Sequence, residues 1–168
     1  TEDSFTGEFI DSSDIHAIHF DSNGAISRDE FQVNTETSHI QAHQDMASLS
    51  DGGYVVVWSS NVNDGDGWGI YGQLFDGQSI KIGDEFLVNV NTLGDQHQAY
   101  VEGLEDGGFI VSWQSEDQDG SGNAVMARRY DSNAELLNES NSIALDIDLD
   151  SASGEGPSEF LSIEITGV

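Results

Sequence analysis

The sequence has no cysteine, one proline and only 4 lysine and arginine residues, against 32 aspartates and glutamates. Without cysteine there are no disulfides and no thiolate zinc sites. Four basic residues cannot form the positive face that a nucleic acid or an anionic membrane surface requires. No apolar run approaches the roughly 20 residues of a membrane span. We therefore expect neither nucleic-acid binding nor membrane insertion.

The formal net charge is −28 over 168 residues, which favours expansion of the chain unless cations neutralise it. The acids are nevertheless spread out between short apolar runs, and 36% of the residues are hydrophobic. This pattern differs from the blocks of like charge that are typical of disordered tails. In a small domain without disulfides, a bound metal is a common source of stability. We expect a folded, cation-dependent module excised from a longer chain.

An internal repeat organises the sequence. A shift of 55 residues aligns Phe20–Asp76 with Phe75–Asp131 without gaps, and 20 of 57 pairs are identical. Chance would give about one identical pair in seventeen, so one supersecondary unit is repeated. The strongest block matches Leu49–Trp58 with Leu104–Trp113.

Each copy of the repeat predicts short strands. Ser50–Gly53 separates two apolar runs with glycines that permit positive φ, which is typical of a β-hairpin, and Val55–Val57 is β-branched. Four strands per copy could form a propeller blade, but a ring needs about four blades or more. We therefore predict an all-β fold, an antiparallel β-sandwich built on two 55-residue repeats and stabilised by calcium in Asp/Gly loops. The predicted strands are Glu30–Asn34, Ala47–Leu49, Tyr54–Ser59, Trp68–Phe75, Glu85–Asn89, Tyr100–Leu104, Phe109–Gln114 and Val125–Tyr130.

The domain organisation follows from the repeat. We predict a ligand-binding β domain over residues 1–142, with repeats at 20–75 and 76–131. Residues 143–168 begin with strict polar and apolar alternation, so they are either closing strands of the same sandwich or the start of a neighbouring module. Residues 1–19 give no indication of a role.

Two Asp/Gly loops carry the clearest chemistry. Calcium takes six to eight oxygen ligands, and tight turns let successive oxygens converge. Such oxygens recur along Asp117–Asn123 and its counterpart Asn61–Gly67, without the helices or the twelfth-position glutamate of an EF-hand. The alternative is a solvated turn. The predicted calcium ligands, including a row on one strand face of the tail, are Asn61, Asn63, Asp64, Asp66, Asp117, Asp119, Ser121, Asn123, Asp146, Asp148 and Asp150.

Four side chains that differ between the copies are candidates for ligand binding. Trp68 stands beside the first loop, where the second copy has Asn123, and a large loop aromatic can serve as a ligand platform. An arginine could pair with a ligand carboxylate. The alternatives are ordinary packing and pairing with the chain's own acids. The predicted ligand-binding residues are Trp68, Tyr71, Tyr100 and Arg128.

Motifs of catalysis are missing from the sequence. The five histidines lack a His-Glu-x-x-His arrangement, and there is no Gly-x-Ser-x-Gly. With 32 acids, accidental carboxylate pairs are expected and none stands out. We predict that the protein is not an enzyme.

The repeat resembles one found in very large secreted calcium-dependent (RTX) adhesins of Gram-negative bacteria. The shared pattern is Glu-Phe-x-Val-Asn, then Asp-Gly-Gly-[Tyr/Phe]-[Val/Ile]-Val-x-Trp, then Asp-Gly-x-Gly. The tail Ile143–Val168 is similar to the start of an Ig-like extender module of such proteins. The resemblance implies a calcium-loaded β-sandwich on the bacterial cell surface, with a role in adhesion and biofilm formation. It also implies binding of a peptide's free C-terminal carboxylate through a loop-held calcium.

Two other functions stay open at this point. A calcium-dependent lectin would chelate sugar hydroxyls in the same loops and stack a sugar on Trp68. A calcium-rigidified spacer would bind calcium but no further ligand, although a spacer does not need the asymmetry between the copies. Under the leading interpretation, the partner is a surface protein or peptide C-terminus of a host cell or neighbouring microbe, and the domain is a monomeric module in a longer chain.

Overall fold

The computed structural model describes residues 12–61, 64–116 and 122–137, and these residues form nine β-strands and no helix. All strand pairs within its sheets are antiparallel, which confirms the predicted all-β class. The strands are β1 (His16–Phe20), β2 (Ile26–Gln32), β3 (Gln41–Ser48), β4 (Tyr54–Asn61), β5 (Trp68–Phe75), β6 (Lys81–Leu87), β7 (Gln96–Gly103), β8 (Phe109–Glu116) and β9 (Asn123–Tyr130).

The strands form three sheets, ordered β1-β2, β3-β4-β5-β6 and β7-β8-β9. One apolar core lies between the middle and third sheets, and a second core lies between the first and middle sheets. Each contact between sheets is sandwich-like, but there are three layers where the sequence predicted two. The additional layer arises because β1 and β2 pair into a sheet of their own.

Strand β4 lies at the centre of the stack and contributes to both cores. Val55 and Val57 belong to the core shared with the third sheet, whereas Val56 and Trp58 belong to the core shared with the first. Successive side chains of a strand point to opposite faces, so a continuous apolar run suits a strand buried on both sides. This explains why the run shows no alternation of polar and apolar residues.

The 55-residue period of the sequence recurs in the strand bounds. Strands β3, β4 and β5 begin at residues 41, 54 and 68, and β7, β8 and β9 begin at 96, 109 and 123. The bounds of β2 are likewise 55 residues before those of β6. Positive φ recurs at Gly24, Ser79 and Ala134, which occupy the same position in three equivalent turns, 55 residues apart.

The middle and third sheets approach closely along β3 and β7. A Cβ on Gly103 would overlap the backbone oxygen of Ser48, so glycine allows the two backbones to come together there. Asp45 Oδ2 accepts a hydrogen bond from the backbone N of Val101 at 3.0 Å, across the sheets. These two contacts fix the position of one sheet on the other.

Many of the aspartates serve as hydrogen-bond acceptors in turns. Asp21, Asp76 and Asp131 follow β1, β5 and β9, and each Oδ1 accepts from the backbone N of the residues two and four positions later, at 2.8–2.9 Å. An aspartate that satisfies backbone donors in this way stabilises a turn without any metal. Part of the acidity of the chain therefore has a structural use.

Acid is expected to weaken these turns. Hydrogen bonds from the backbone of Glu135 and then Asn133 hold the pKa of the Asp131 carboxyl below its ordinary value of 3.8. A depressed folded pKa gives stability that is present above the unfolded pKa, near 3.8, and is lost as pH falls through the folded pKa. Denaturant unfolding between pH 2.5 and 6 should show Asp131→Asn losing less stability in acid than the parent chain.

The comparison with Asp131→Asn isolates the turn. Acidification also neutralises other carboxylates and relieves repulsion in both proteins, so only the difference between them reports on this residue. The amide oxygen can still accept the two backbone hydrogen bonds. Identical pH dependence of the two proteins would show that the turn does not contribute.

Candidate functional site

Two loops meet at the end of the middle sheet, and both carry carboxylates. Residues 64–67, which precede β5, lie against the loop between β6 and β7. Asp95 Oδ1 accepts from the backbone N of Trp68 at 3.0 Å, and Asp66 Oδ2 accepts from the backbone N of Gly94 at 3.4 Å. Gly67 has a φ of 77°, and a Cβ there would overlap the Asp95 carboxylate. Glycine is therefore needed for the loops to meet.

Asp64 is held in place from the opposite side. Its Oδ2 accepts from Asn89 Nδ2 at 2.9 Å, and the same amide group also donates to Gln96 Oε1 at 2.8 Å. Asn89 Oδ1 in turn accepts from the backbone N of Ile70 at 2.7 Å. Because Asn89 and Gln96 are buried, this network orients Asp64 from within the protein.

Asp95, His97 and Glu116 form a group of three side chains that could hold a metal ion. One ligand atom from each lies within 4.8 Å of the others, and His97 Nε2 is 3.5 Å from Asp95 Oδ2. The backbone N of Glu116 donates to the backbone oxygen of Asp95 at 3.0 Å, which joins the end of β8 to the start of β7. With Asp64 and Asp66 in the adjoining loop, several negative charges are collected at this end of the sheets.

Trp68 lies beside the carboxylates and between two imidazoles. Its ring centroid is 5.7 Å from that of His97 and 6.3 Å from that of His43. His43 has a φ of 54°, at the point where a bulge breaks the pairing of β3 with β4. Bulges and positive φ at a non-glycine residue are common next to functional sites, where they redirect a side chain. The bulge sets His43 among the residues around Trp68.

A shallow groove of about 210 Å³ adjoins His43. A second bulge, at Gln98 with a φ of 52°, lies in the equivalent place on β7. Tyr100 is strongly exposed and lines the groove together with His43. The two equivalent bulges therefore form a recess between the edges of the middle and third sheets.

Four of the predicted calcium ligands lie within the described chain. Asp64 and Asp66 are in the loop that lies against Asp95. Asn61 Oδ1 instead accepts from the backbone N of Ile40 at 2.7 Å. Asn123 begins β9, paired with Glu116. The other predicted calcium ligands lie outside the described residues: Asn63, Asp117, Asp119, Ser121, Asp146, Asp148 and Asp150. Residues 143–168 also lie outside them, so the structure does not test to which domain they belong.

The four predicted ligand-binding residues are distributed over different places. Trp68 is at the carboxylate group, and Tyr100 lines the groove. Tyr71 packs against the core between the first and middle sheets, where burial, followed by the charges of Asp64 and Glu85, raises its pKa to about 12. Arg128 Nη1 donates to the backbone oxygen of Val88 at 2.9 Å, within the protein.

The donor set is suited to a hard cation. Ligand oxygens of Asp95 and Glu116 lie within 4.8 Å of each other, and carboxylates are the ligands that calcium prefers. Asp64 and Asp66 add two carboxylates in the adjoining loop, and like charges gathered in one place favour binding of a divalent cation. The imidazole of His97 would add a softer nitrogen ligand, which suits zinc or other transition metals. From the sequence, His97 was set aside as a metal ligand together with the other four histidines, because none of them lies in a zinc motif.

Asp95, His97, Glu116 and His43 were all missed by sequence reasoning. A signal was available, because the counterparts of Asp95 and His97 in the first copy are Ile40 and Ala42. The asymmetry that singled out Trp68 therefore also applies to these two residues. Only the stacking of the sheets shows that they are neighbours.

Comparisons with protein-family models, curated proteins and solved structures gave no match to this chain. The described residues include no helix with the length and apolar character needed to cross a membrane.

Proposed function

We propose that this domain is a calcium-dependent ligand-binding module of a secreted bacterial surface adhesin. Its ligand is the free C-terminal carboxylate of a peptide on a host cell or neighbouring microbe, and calcium bridges the two. Asp64, Asp66, Asp95 and Glu116 would hold the ion, and Trp68 would contact the peptide beside it. No catalytic step is involved, and Arg128 is not part of the proposed site.

The observation that carries the proposal is the meeting of two carboxylate loops directly beside Trp68. Asp95 Oδ1 accepts a hydrogen bond from the backbone N of Trp68, and the Trp68 ring lies 5.7 Å from that of His97, so the aromatic ring and the charged groups occupy one site. A single surface thus offers both an ion-binding group and an apolar contact. Interfaces commonly draw much of their binding energy from such a tryptophan.

The negative charge of the protein is the reason why a bound cation is needed. A domain with a net charge of −28 repels a peptide carboxylate, and the local carboxylates add to that repulsion. A divalent ion held at the edge of the site reverses the local sign and can accept an oxygen from the ligand. The resemblance of the repeat to calcium-dependent adhesins supports the same mechanism and supplies the extracellular setting.

Titration calorimetry with a peptide library tests the proposal. In calcium, the tightest free-acid peptide should bind at least about tenfold better than its C-terminal amide, a difference of about 1.4 kcal/mol. Chelator should abolish binding. Trp68→Ala should weaken it, whereas Met46→Ala, which removes an exposed apolar side chain from β3, should not.

The contradicting outcomes are distinct. Equal affinity for acid and amide would exclude the carboxylate mechanism. Calcium-dependent binding of glycans with no peptide binding would favour a lectin, and calcium binding with neither ligand would favour a spacer.

A further inference from the structure

The outer face of the third sheet carries apolar side chains that the described chain leaves partly open. Phe109, Val111 and Trp113 of β8 point into the core, so the alternate residues of β8 point outwards. Ile110 is one of these and is only half-buried. Tyr100 on β7 pairs with Ser112 across this face and is 64% exposed.

The repeat indicates what covers a face of this kind. Val55 and Ile70 stand on the middle sheet at the positions that Ile110 and Val125 occupy on the third. Both are 0% exposed, because the third sheet packs against them. Val125 is half-buried, like Ile110. The equivalent surface one unit earlier is thus covered by a β-sheet of the same repeat.

The first sheet has the complementary open face. Ala17 and Phe31 pack towards the middle sheet, whereas Phe20 and Ile26 pair on the opposite side and are both more than half exposed. The counterpart of Phe20 in the middle sheet is Phe75, which is buried against the first sheet and only 1% exposed. Within the residues that the structure describes, the two ends of the stack therefore expose the two halves of a contact that the protein already makes internally.

We propose that copies of this chain associate head to tail, with the outer face of β1–β2 of one copy packed on the outer face of β7–β9 of the next. This contact would repeat the arrangement of the sheets within each copy. The contact is heterologous, so every open assembly keeps one free face of each kind and association continues beyond a dimer. The inference departs from the expected monomeric module and does not depend on the proposed calcium site.

Charge sets the conditions for this association. The centre of the third sheet's outer face is uncharged, with Ile110, Ser112 and Ala127 in adjacent rows, while Glu102 and Arg129 flank it on either side of Ile110. Repulsion between copies of net charge −28 acts over longer distances and is screened at physiological ionic strength, where the Debye length is about 8 Å. Association should therefore strengthen as salt is added.

Sedimentation velocity of the whole chain, from about 5 to 500 µM and in low and high salt, tests the proposal. The expected result is a mass that grows with concentration, and grows more in high salt. Phe20→Asp and Tyr100→Asp each place a charge on one of the two faces and should each give a monomer. Val90→Asp, at an exposed position in the loop between β6 and β7, is the control and should associate like the parent.

A mixture of the two variants gives the sharpest result. Each retains one intact face, so a one-to-one mixture should form dimers and nothing larger. Loss of association in only one variant would mean that like faces pair, and this would overturn the head-to-tail arrangement. A monomeric parent at all concentrations and salts would overturn the proposal altogether. Because all three substitutions are at exposed positions, circular dichroism should confirm unchanged folding.

Discussion

Phe109→Ala is expected to lower the free energy of unfolding by about 3–5 kcal/mol, the usual cost of deleting a buried phenylalanine ring. Phe109 is fully buried in the core between the middle and third sheets. Its ring stacks on Tyr130 with centroids 5.1 Å apart and lies 6.2 Å from Phe86. Removal of the ring would leave a cavity bordered by side chains of β6, β8 and β9.

Denaturant unfolding measures this change, and Phe20→Ala is a matched control. Phe20 occupies the position equivalent to Tyr130 two units earlier in the chain, but it is exposed. At about 1 µM protein, where association between copies is weakest, its replacement should change stability by less than about 0.5 kcal/mol. Similar losses for Phe109→Ala and Phe20→Ala would contradict the burial of the stacked aromatic group.

If calcium binds as proposed, Asp95→Asn is expected to remove most of the stabilisation that the ion gives. The amide oxygen can still accept from the backbone N of Trp68, so the loop contact is kept while one charged ligand is lost. In chelator, the variant should be as stable as the parent or more so, because repulsion from Asp64 and Glu116 falls. In calcium, the order should reverse.

Thermal unfolding of both proteins in chelator and in about 10 mM calcium gives this comparison. Asp29→Asn is the control, because it makes the same charge change at an exposed position on β2. It should leave the calcium response intact. An undiminished response in Asp95→Asn would place any calcium elsewhere in the chain.

Local sequence signals were sufficient for the central strands. Trp68–Phe75 was predicted with the bounds of β5, and Tyr54–Ser59 lies within β4. Both strands are rich in β-branched or aromatic residues and lie next to glycine-containing loops. These features depend on neighbouring residues only, so they can be interpreted without knowledge of the tertiary structure.

Local sequence signals did not predict the strands whose formation depends on tertiary contacts. Strand β3 begins at Gln41, whereas the sequence predicted a strand from Ala47, because the bulge at His43 breaks the alternation of its first half. Strand β1 was not predicted at all. Its five residues become a strand by pairing with β2 and burying Ala17 against the middle sheet.

The candidate site was predicted only in part for the same reason. Asp64, Asp66 and Trp68 stand together in the sequence, and their pattern indicated a cation loop. Asp95 lies in the loop before β7 and Glu116 ends β8, and both reach this place only because the third sheet packs on the middle one. Contacts between sheets depend on packing over the whole stack, which a spacing rule does not describe.

The most direct test of the calcium mechanism is the melting temperature of the whole chain in chelator and in about 10 mM calcium. Extracellular calcium modules bind with dissociation constants of about 10⁻⁴–10⁻³ M, so the ion should contribute about 1.4–2.7 kcal/mol. For a chain of this length, that corresponds to a rise of roughly 3–10 °C, and free-acid peptides should raise the melting temperature further. An unchanged melting temperature in calcium would contradict both the metal site and the binding mechanism built on it.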